Sequence, residues 1–207
     1  MLNKILDMDN AFFRALKKLG YIWWLHILWL LCSLPIITAG AATTALVFAC
    51  MRLRDNDEAV MRNFFTSFKR NFVQSTVLFC LFLVAGLVLV FDIIAAGQLD
   101  SAFGSVLRIS TLALMLLYCV SLLYVFAIQA KFVNTIRNTL KYSFIVAGKY
   151  LKYTLQICFI AAVFVWLNTT IVFVNFFTLS MGFGIAVYIL SGYYNKIFNK
   201  ILELNVV

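Results

Sequence analysis

Long apolar stretches separated by short clusters of charge set the pattern of this chain. No Asp, Glu, Lys or Arg falls between Lys18 and Arg52, Arg70 and Asp92, Arg108 and Lys131, or Lys152 and Lys196. A helical crossing of a bilayer needs about 20 mostly apolar residues. The second and third windows therefore predict one span each, at about 74–96 and 109–130. The last window is long enough for two, at about 153–173 and 178–196.

The first window is interrupted. A helix opening on the interfacial pair Trp23–Trp24 runs into Pro35 and then Gly40. Proline removes a backbone donor and clashes with the preceding turn, and glycine relaxes the backbone. A straight helix over residues 21–51 would be about 46 Å long, against a hydrocarbon core of about 30 Å. A hairpin turning at Pro35–Gly40 resolves the mismatch. Its second arm, Ala41 to Met51, is only about 17 Å long. It is either a full crossing helped by snorkelling of Arg52 and Arg54 or a re-entrant segment. The competing arrangement is one tilted crossing, which strands four basic residues on the opposite face.

Three amphipathic segments flank these spans. In residues 1–18, Ile5, Phe12, Phe13 and Leu16 face lipid ahead of Lys17 and Lys18. In residues 58–72, Met61, Phe64, Phe65, Phe68 and Phe72 fall on one helical face, with Arg62, Lys69, Arg70 and Asn71 off it. In residues 131–152, Val133, Ile136, Leu140 and Phe144 repeat the theme beside five basic residues. Aromatic or aliphatic stripes opposite basic ones predict helices lying in the membrane interface. The expected fold is an all-α integral membrane protein in one membrane domain, 1–207, with about five or six membrane segments. A broken N-terminal hairpin (21–51) precedes two two-span hairpins (58–130 and 131–198), each introduced by a basic interfacial helix. The two halves share architecture without convincing residue identity.

Composition agrees. Of 207 residues, 64% are hydrophobic and 12% charged, where soluble domains run at about 45–50% and 25%. The net charge of +9 is spread over loops and does not point to nucleic acid. With both termini on one side, all 17 Lys and Arg except Arg108 share that side. The positive-inside rule makes it cytoplasmic, in a multi-pass protein of the cell membrane. A cleaved signal peptide is not expected, because basic residues crowd the first 20 positions and no small-residue cleavage site follows. The five cysteines are dispersed singly and His26 is the only histidine, so neither a disulfide framework, a metal site nor a cofactor is expected.

The run LHILWLLCSLPIITAGAATTAL, followed by FFTSFKRNF at residues 64–72, resembles the YesL-like family of bacterial membrane proteins over the first third of the chain. The resemblance implies no assigned biochemistry. The family's members are found mainly in Gram-positive bacteria, often beside carbohydrate ABC importers and glycoside-degrading enzymes. Its pattern usually has Asn where this chain has His26.

Two groups of residues carry the functional expectations. At the broken helix, Pro35, Thr38, Gly40, Ala41, Thr43, Thr44 and Ala45 form either a ligand site, with free helix-start amides and hydroxyls, or a small-residue ridge for close helix packing. On the first basic helix, Arg62, Phe65, Phe68, Lys69 and Arg70 form a surface for anionic phospholipid or a cytoplasmic partner. His26 reads as an interfacial hydrogen-bonder, Asp92 as meeting water at the end of its span. Gln129, Gln156, Asn168, Thr169, Thr170 and Asn175 are expected to bond between helices. No paired carboxylates in a span, H-E-x-x-H, P-loop, G-x-S-x-G or intramembrane chain of ionisable groups is present in the sequence, so no enzyme is expected. The first expectation is a non-catalytic subunit accessory to a carbohydrate ABC importer, in contact with its permease subunits. A stand-alone carrier or channel, and a membrane sensor or lipid-binding scaffold, are the alternatives.

Overall fold

The computed structural model describes residues 11–99 and 101–204, all of them helix, turn or short connection, with no strand among them. α1 (Ala11–Ser33) leads through a 3-10 turn (Ile36–Thr38) into α2 (Ala39–Arg54). α3 (Val60–Gly97) and α4 (Ala102–Lys131) follow, then α5 (Ile136–Lys149) and α6 (Leu151–Thr170). A short α7 (Val172–Phe177) passes through a π-helical turn (Thr178–Gly182) into α8 (Phe183–Leu204). Among the described residues, five stretches are long and apolar enough to cross a membrane: Ile36–Arg54, Val60–Gly97, Ala102–Lys131, Leu151–Thr170 and Val174–Glu203. The protein is an all-α, multi-pass membrane protein.

The hairpin at the proline is real. The start of α1 lies beside the end of α2, since Lys17 donates to Glu58 at 2.6 Å and Lys18 to Asn56 at 3.2 Å. The two helices therefore run antiparallel from a turn at residues 34–38, which removes the single tilted crossing. α2 closes with a left-handed Asn56 (φ 63°). There the Asn56 amide donates to Leu53 at 3.2 Å and the Asp57 amide to Arg52 at 3.0 Å, the paired bonds of a Schellman stop. The Ala59 amide then donates to the Asp57 carboxylate at 3.1 Å, leading the chain into α3.

Two expected boundaries are absent. Residues 11–18 of the expected first amphipathic helix do not form a helix apart from the next. They are the first turns of α1, which runs unbroken through Gly20, while Ile5 lies outside the described residues. Residues 58–72 likewise do not form a separate interfacial helix. They are the first turns of α3, a 38-residue helix about 57 Å long. Nothing between Val60 and Gly86 breaks a helix, so the amphipathic stretch and the span fuse. The 131–152 segment does contain a separate helix. Thr135 caps α5, its hydroxyl accepting from the Asn138 amide at 3.4 Å.

α3 and α4 pair as the next hairpin. Arg108, the lone basic residue at that end, donates to the carbonyls of Ala96 and Gly97 at 2.9 Å each and so closes the C-terminus of α3. The core is centred on α2, where Ala45, Leu46, Ala49, Cys50 and Leu53 are fully buried against α1, α3, α4 and α8. Farther from the basic side, α3 and α4 expose Leu87, Phe91, Phe103 and Ile109, and α6 exposes Phe159 and Trp166. Those surfaces are suited to lipid or to another membrane protein.

Candidate functional site

The broken helix and the face of α3 beneath it are tightly packed. Gly40, Ala41, Thr44 and Ala45 are all buried. A Cβ on Gly40 would run into the Ser75 carbonyl and the Phe79 side chain, so only glycine lets α2 approach this closely. Pro35 sits exposed at the turn beside exposed Leu34, Ile36 and Ile37. Thr38 turns its hydroxyl back to the carbonyls of Cys32 and Pro35, at 2.6 and 2.7 Å. Thr43 donates to Ala39 at 2.8 Å while accepting from the Trp29 indole at 3.1 Å. Thr44 lies 2.9 Å from both the Gly40 carbonyl and the Ser75 hydroxyl. All three hydroxyls are thus engaged within the fold.

What Gly40 and the alanines pack against was not singled out in the sequence. On α3, Asn63, Ser67, Asn71 and Ser75 recur every four residues, and all four are buried. This spacing puts them on one helical face. The aromatic stripe does not form a lipid face. Phe64 is fully buried in the core and Phe68 is half-buried against it, whereas Met61, Phe65 and Phe72 are exposed. Small and polar residues point inward because close backbone approach and interhelical hydrogen bonds, rather than apolar burial, favour helix association in lipid. The i, i+4, i+8, i+12 repeat was the available signal.

The polar stripe continues into a buried network. Gln129 of α4 donates to Gln74 at 2.6 Å and lies 3.5 Å from the Asn71 carbonyl oxygen. It accepts from Thr139 of α5 at 3.0 Å, and Asn71 donates to Ser67 at 3.1 Å. Gln129 therefore bonds between helices as expected. Asn168, Thr169 and Thr170 do not: Asn168 bonds to Phe164, and the two threonines to Trp166, within their own helix. Gln156 and Asn175 are exposed, as is Asp92.

His26 is the other correction. It is buried, 1% exposed, rather than standing at the interface. Its Nε2–H donates to the Leu179 carbonyl at 2.9 Å in the π-helical turn. A π turn leaves carbonyls out of register with the regular ladder, and His26 satisfies this one. Trp29 stacks on its ring at 5.7 Å. Arg54, expected to snorkel, instead folds onto α8. It donates to the Tyr188 carbonyl at 2.8 and 2.9 Å and to Ser191 at 3.1 Å, over the bare backbone of Gly192.

The proposed basic surface is divided. Arg62, Phe65 and Lys69 are exposed. Arg70 donates to the Ala130 carbonyl at 3.1 Å and lies 5.4 Å from the Phe48 ring centre, which ties α3 to α4 and α2. At the same end, the hydrogen bond from Lys17 holds the Glu58 carboxyl below its usual range, and Glu58 raises Lys17 in return. Among the described residues, no group of His, Cys, Asp and Glu is arranged to hold a metal.

A family model described as "Protein of unknown function, DUF624" matches residues 22–93. The chain is 29% identical over 152 residues to "Uncharacterized protein YesL" of Bacillus subtilis (strain 168), a match covering 71% of this chain and 70% of that one. The chain resembles YesL-like proteins over these residues. No solved structure matches it. The family match runs from within α1 to near the end of α3, and so contains the proline turn, Gly40 and the whole polar stripe of α3.

Proposed function

We propose that the protein is a non-catalytic membrane subunit accessory to a carbohydrate ABC importer, packed against the importer's permease subunits. The observation that carries this reading is the filling of the broken helix. A carrier would present free backbone and hydroxyls there, whereas Gly40 is pressed against Ser75 and Thr38, Thr43 and Thr44 bond internally. A rigid wedge of this kind positions helices for others to bind. The exposed apolar faces of α3, α4 and α6 offer surface for such contact, and the resemblance to YesL-like proteins, which often sit beside carbohydrate ABC importers, suggests the partner class.

Recovery of the tagged full chain in a gentle detergent, with mass spectrometry of what remains bound, tests this. Two permease subunits at stoichiometric yield support the reading. Recovery of this chain alone, with sugar uptake intact after its deletion, overturns it.

One feature favours a stand-alone carrier. A cavity of about 410 Å³ lies among α2, α3, α4 and α8, lined by apolar side chains together with Thr43, Tyr118 and Tyr194. Both phenols already donate, to the Phe82 and Leu123 carbonyls at 3.0 and 2.7 Å, which leaves an almost wholly apolar interior. Flux of small apolar solutes into liposomes holding only this protein would establish the carrier.

A further inference from the structure

An apolar groove with a space of about 730 Å³ runs between α4, α5 and α6. Leu116 and Val120 of α4, Phe144 and Gly148 of α5, and Leu151 and Leu155 of α6 are among its walls. Other lipid-facing surfaces of the molecule, such as Leu87 to Phe91 on α3, are apolar without an adjoining basic residue, the next residue being the acidic Asp92. This one is different at its α5–α6 end. Lys149 and Lys152 adjoin the groove residues Gly148 and Leu151, and both lysines are exposed. Neither has a carboxylate within salt-bridge distance among the described residues. Lys141 lies one turn before Phe144 on α5. The last turn of α5 and the first turn of α6 meet at Tyr150, where their opposed dipoles offset one another, so the positive potential of the rim comes from the lysines.

An apolar slot with a cationic rim complements a molecule that is a hydrocarbon chain at one end and an anion at the other. We propose that this groove binds an anionic glycerophospholipid. An acyl chain lies along Leu116 and Leu155, and the headgroup phosphate sits between Lys149 and Lys152 at the start of α6. Gly148 keeps the slot open at its rim, for a Cβ there would meet nothing within 4 Å. A larger side chain at this position would enter the groove without disturbing the fold. The inference is independent of the importer reading, because it requires no protein partner.

The test uses the full chain in mild detergent, supplied with equal amounts of phosphatidylglycerol and phosphatidylcholine, with retained lipid counted by native mass spectrometry. Each basic residue near an anionic lipid surface contributes about fivefold to binding, so the two lysines together should give the wild type roughly a 25-fold preference for phosphatidylglycerol. Replacing both lysines, Lys149→Gln with Lys152→Gln, should bring that preference close to parity. Gly148→Leu should lower retention of both lipids at unchanged thermal stability. Equal retention of the two lipids by the wild type overturns the proposal, as does an undiminished preference in the glutamine pair. Because the lysines are exposed, that pair remains informative should Gly148→Leu fold poorly. Millimolar inorganic phosphate should leave the bound lipid in place; displacement would assign a phosphate site instead and overturn the lipid.

Discussion

Gly40 of α2 lies so close to Ser75 of α3 that a methyl group at position 40 would meet the Ser75 carbonyl. This contact joins the proline-broken hairpin to the longest helix of the molecule. Beside it, Thr44 and Ser75 share a hydrogen bond of 2.9 Å, so backbone proximity and polar pairing reinforce one another at one level of the bundle.

Gly40→Ala should therefore destabilise the protein by about 1–3 kcal/mol, the usual cost of overpacking, because a backbone carbonyl cannot turn aside. Ala45→Leu, at a fully buried position, should act in the same direction. Gly20→Ala is the matched control. A Cβ there meets nothing, and helix propensity alone should stabilise it by up to about 1 kcal/mol. Thermal unfolding in detergent reads all three. An Ala45→Leu protein that assembled fully yet lost function would argue for ligand binding at the hairpin over packing.

Gln129 joins three helices, so Gln129→Leu strands Gln74 and Thr139 together. The expected loss is about 1–2 kcal/mol, above the roughly 0.6 average for one intramembrane hydrogen bond and within the range for unsatisfied buried groups. Thr139→Val should cost less in the Gln129→Leu background than alone. Equal costs in the two backgrounds would show that the residues are not coupled.

The hairpin turn faces the middle of a span. Gly40 packs at Ser75 and Phe79, and Phe79 lies about 14 Å along the helix from Arg70, close to half of a core of about 30 Å. The hairpin is thus expected to enter and leave on the basic side. In a cysteine-free background, Ile37→Cys should resist charged thiol reagents from both sides of the membrane. Asp57→Cys should react from the cytoplasmic side and Ser101→Cys from the other. Labelling of Ile37→Cys from the Ser101 side would establish two full crossings.

Acid should loosen the start of α1 from the loop before α3. The carboxyls of Asp57 and Glu58 both sit below their usual values, through the Ala59 amide for Asp57 and the Lys17 hydrogen bond for Glu58. A lowered folded pKa gives stabilisation that is present above the unfolded carboxylate value and lost as pH falls through the folded one. Lys17, raised, contributes below its unfolded pKa and loses its contribution as pH rises through the folded value. Lys17 and Glu58 are exposed and Asp57 is half-buried at the surface, so the effects should be small and sensitive to salt. Fluorescence of Trp23 and Trp24, which line a surface groove with Glu58, should hold steady near neutrality and change below the ordinary carboxylate range. In Glu58→Gln that acid transition should shrink.

The spacing of charges along the chain sufficed to place the membrane segments. Burying an ion in lipid is costly, so four charge-free windows and a proline between Trp24 and Arg52 leave few arrangements. The resemblance at residues 31–46 and 64–72 was legible for the same local reason: it lies in contiguous residues. Which face of each helix turns inward was not. Periodicity shows that Phe64, Phe68 and Phe72 share one face and Asn63, Ser67, Asn71 and Ser75 another, but hydrophobicity cannot rank them when both protein interior and lipid accept apolar groups. Only the approach of Gly40 decided it, by bringing α2 onto the polar stripe. The burial of His26 under the Leu179 carbonyl and the docking of Arg54 on α8 were tertiary decisions too. Each joins residues far apart in the chain, and each depends on backbone groups that look alike at every position in the sequence.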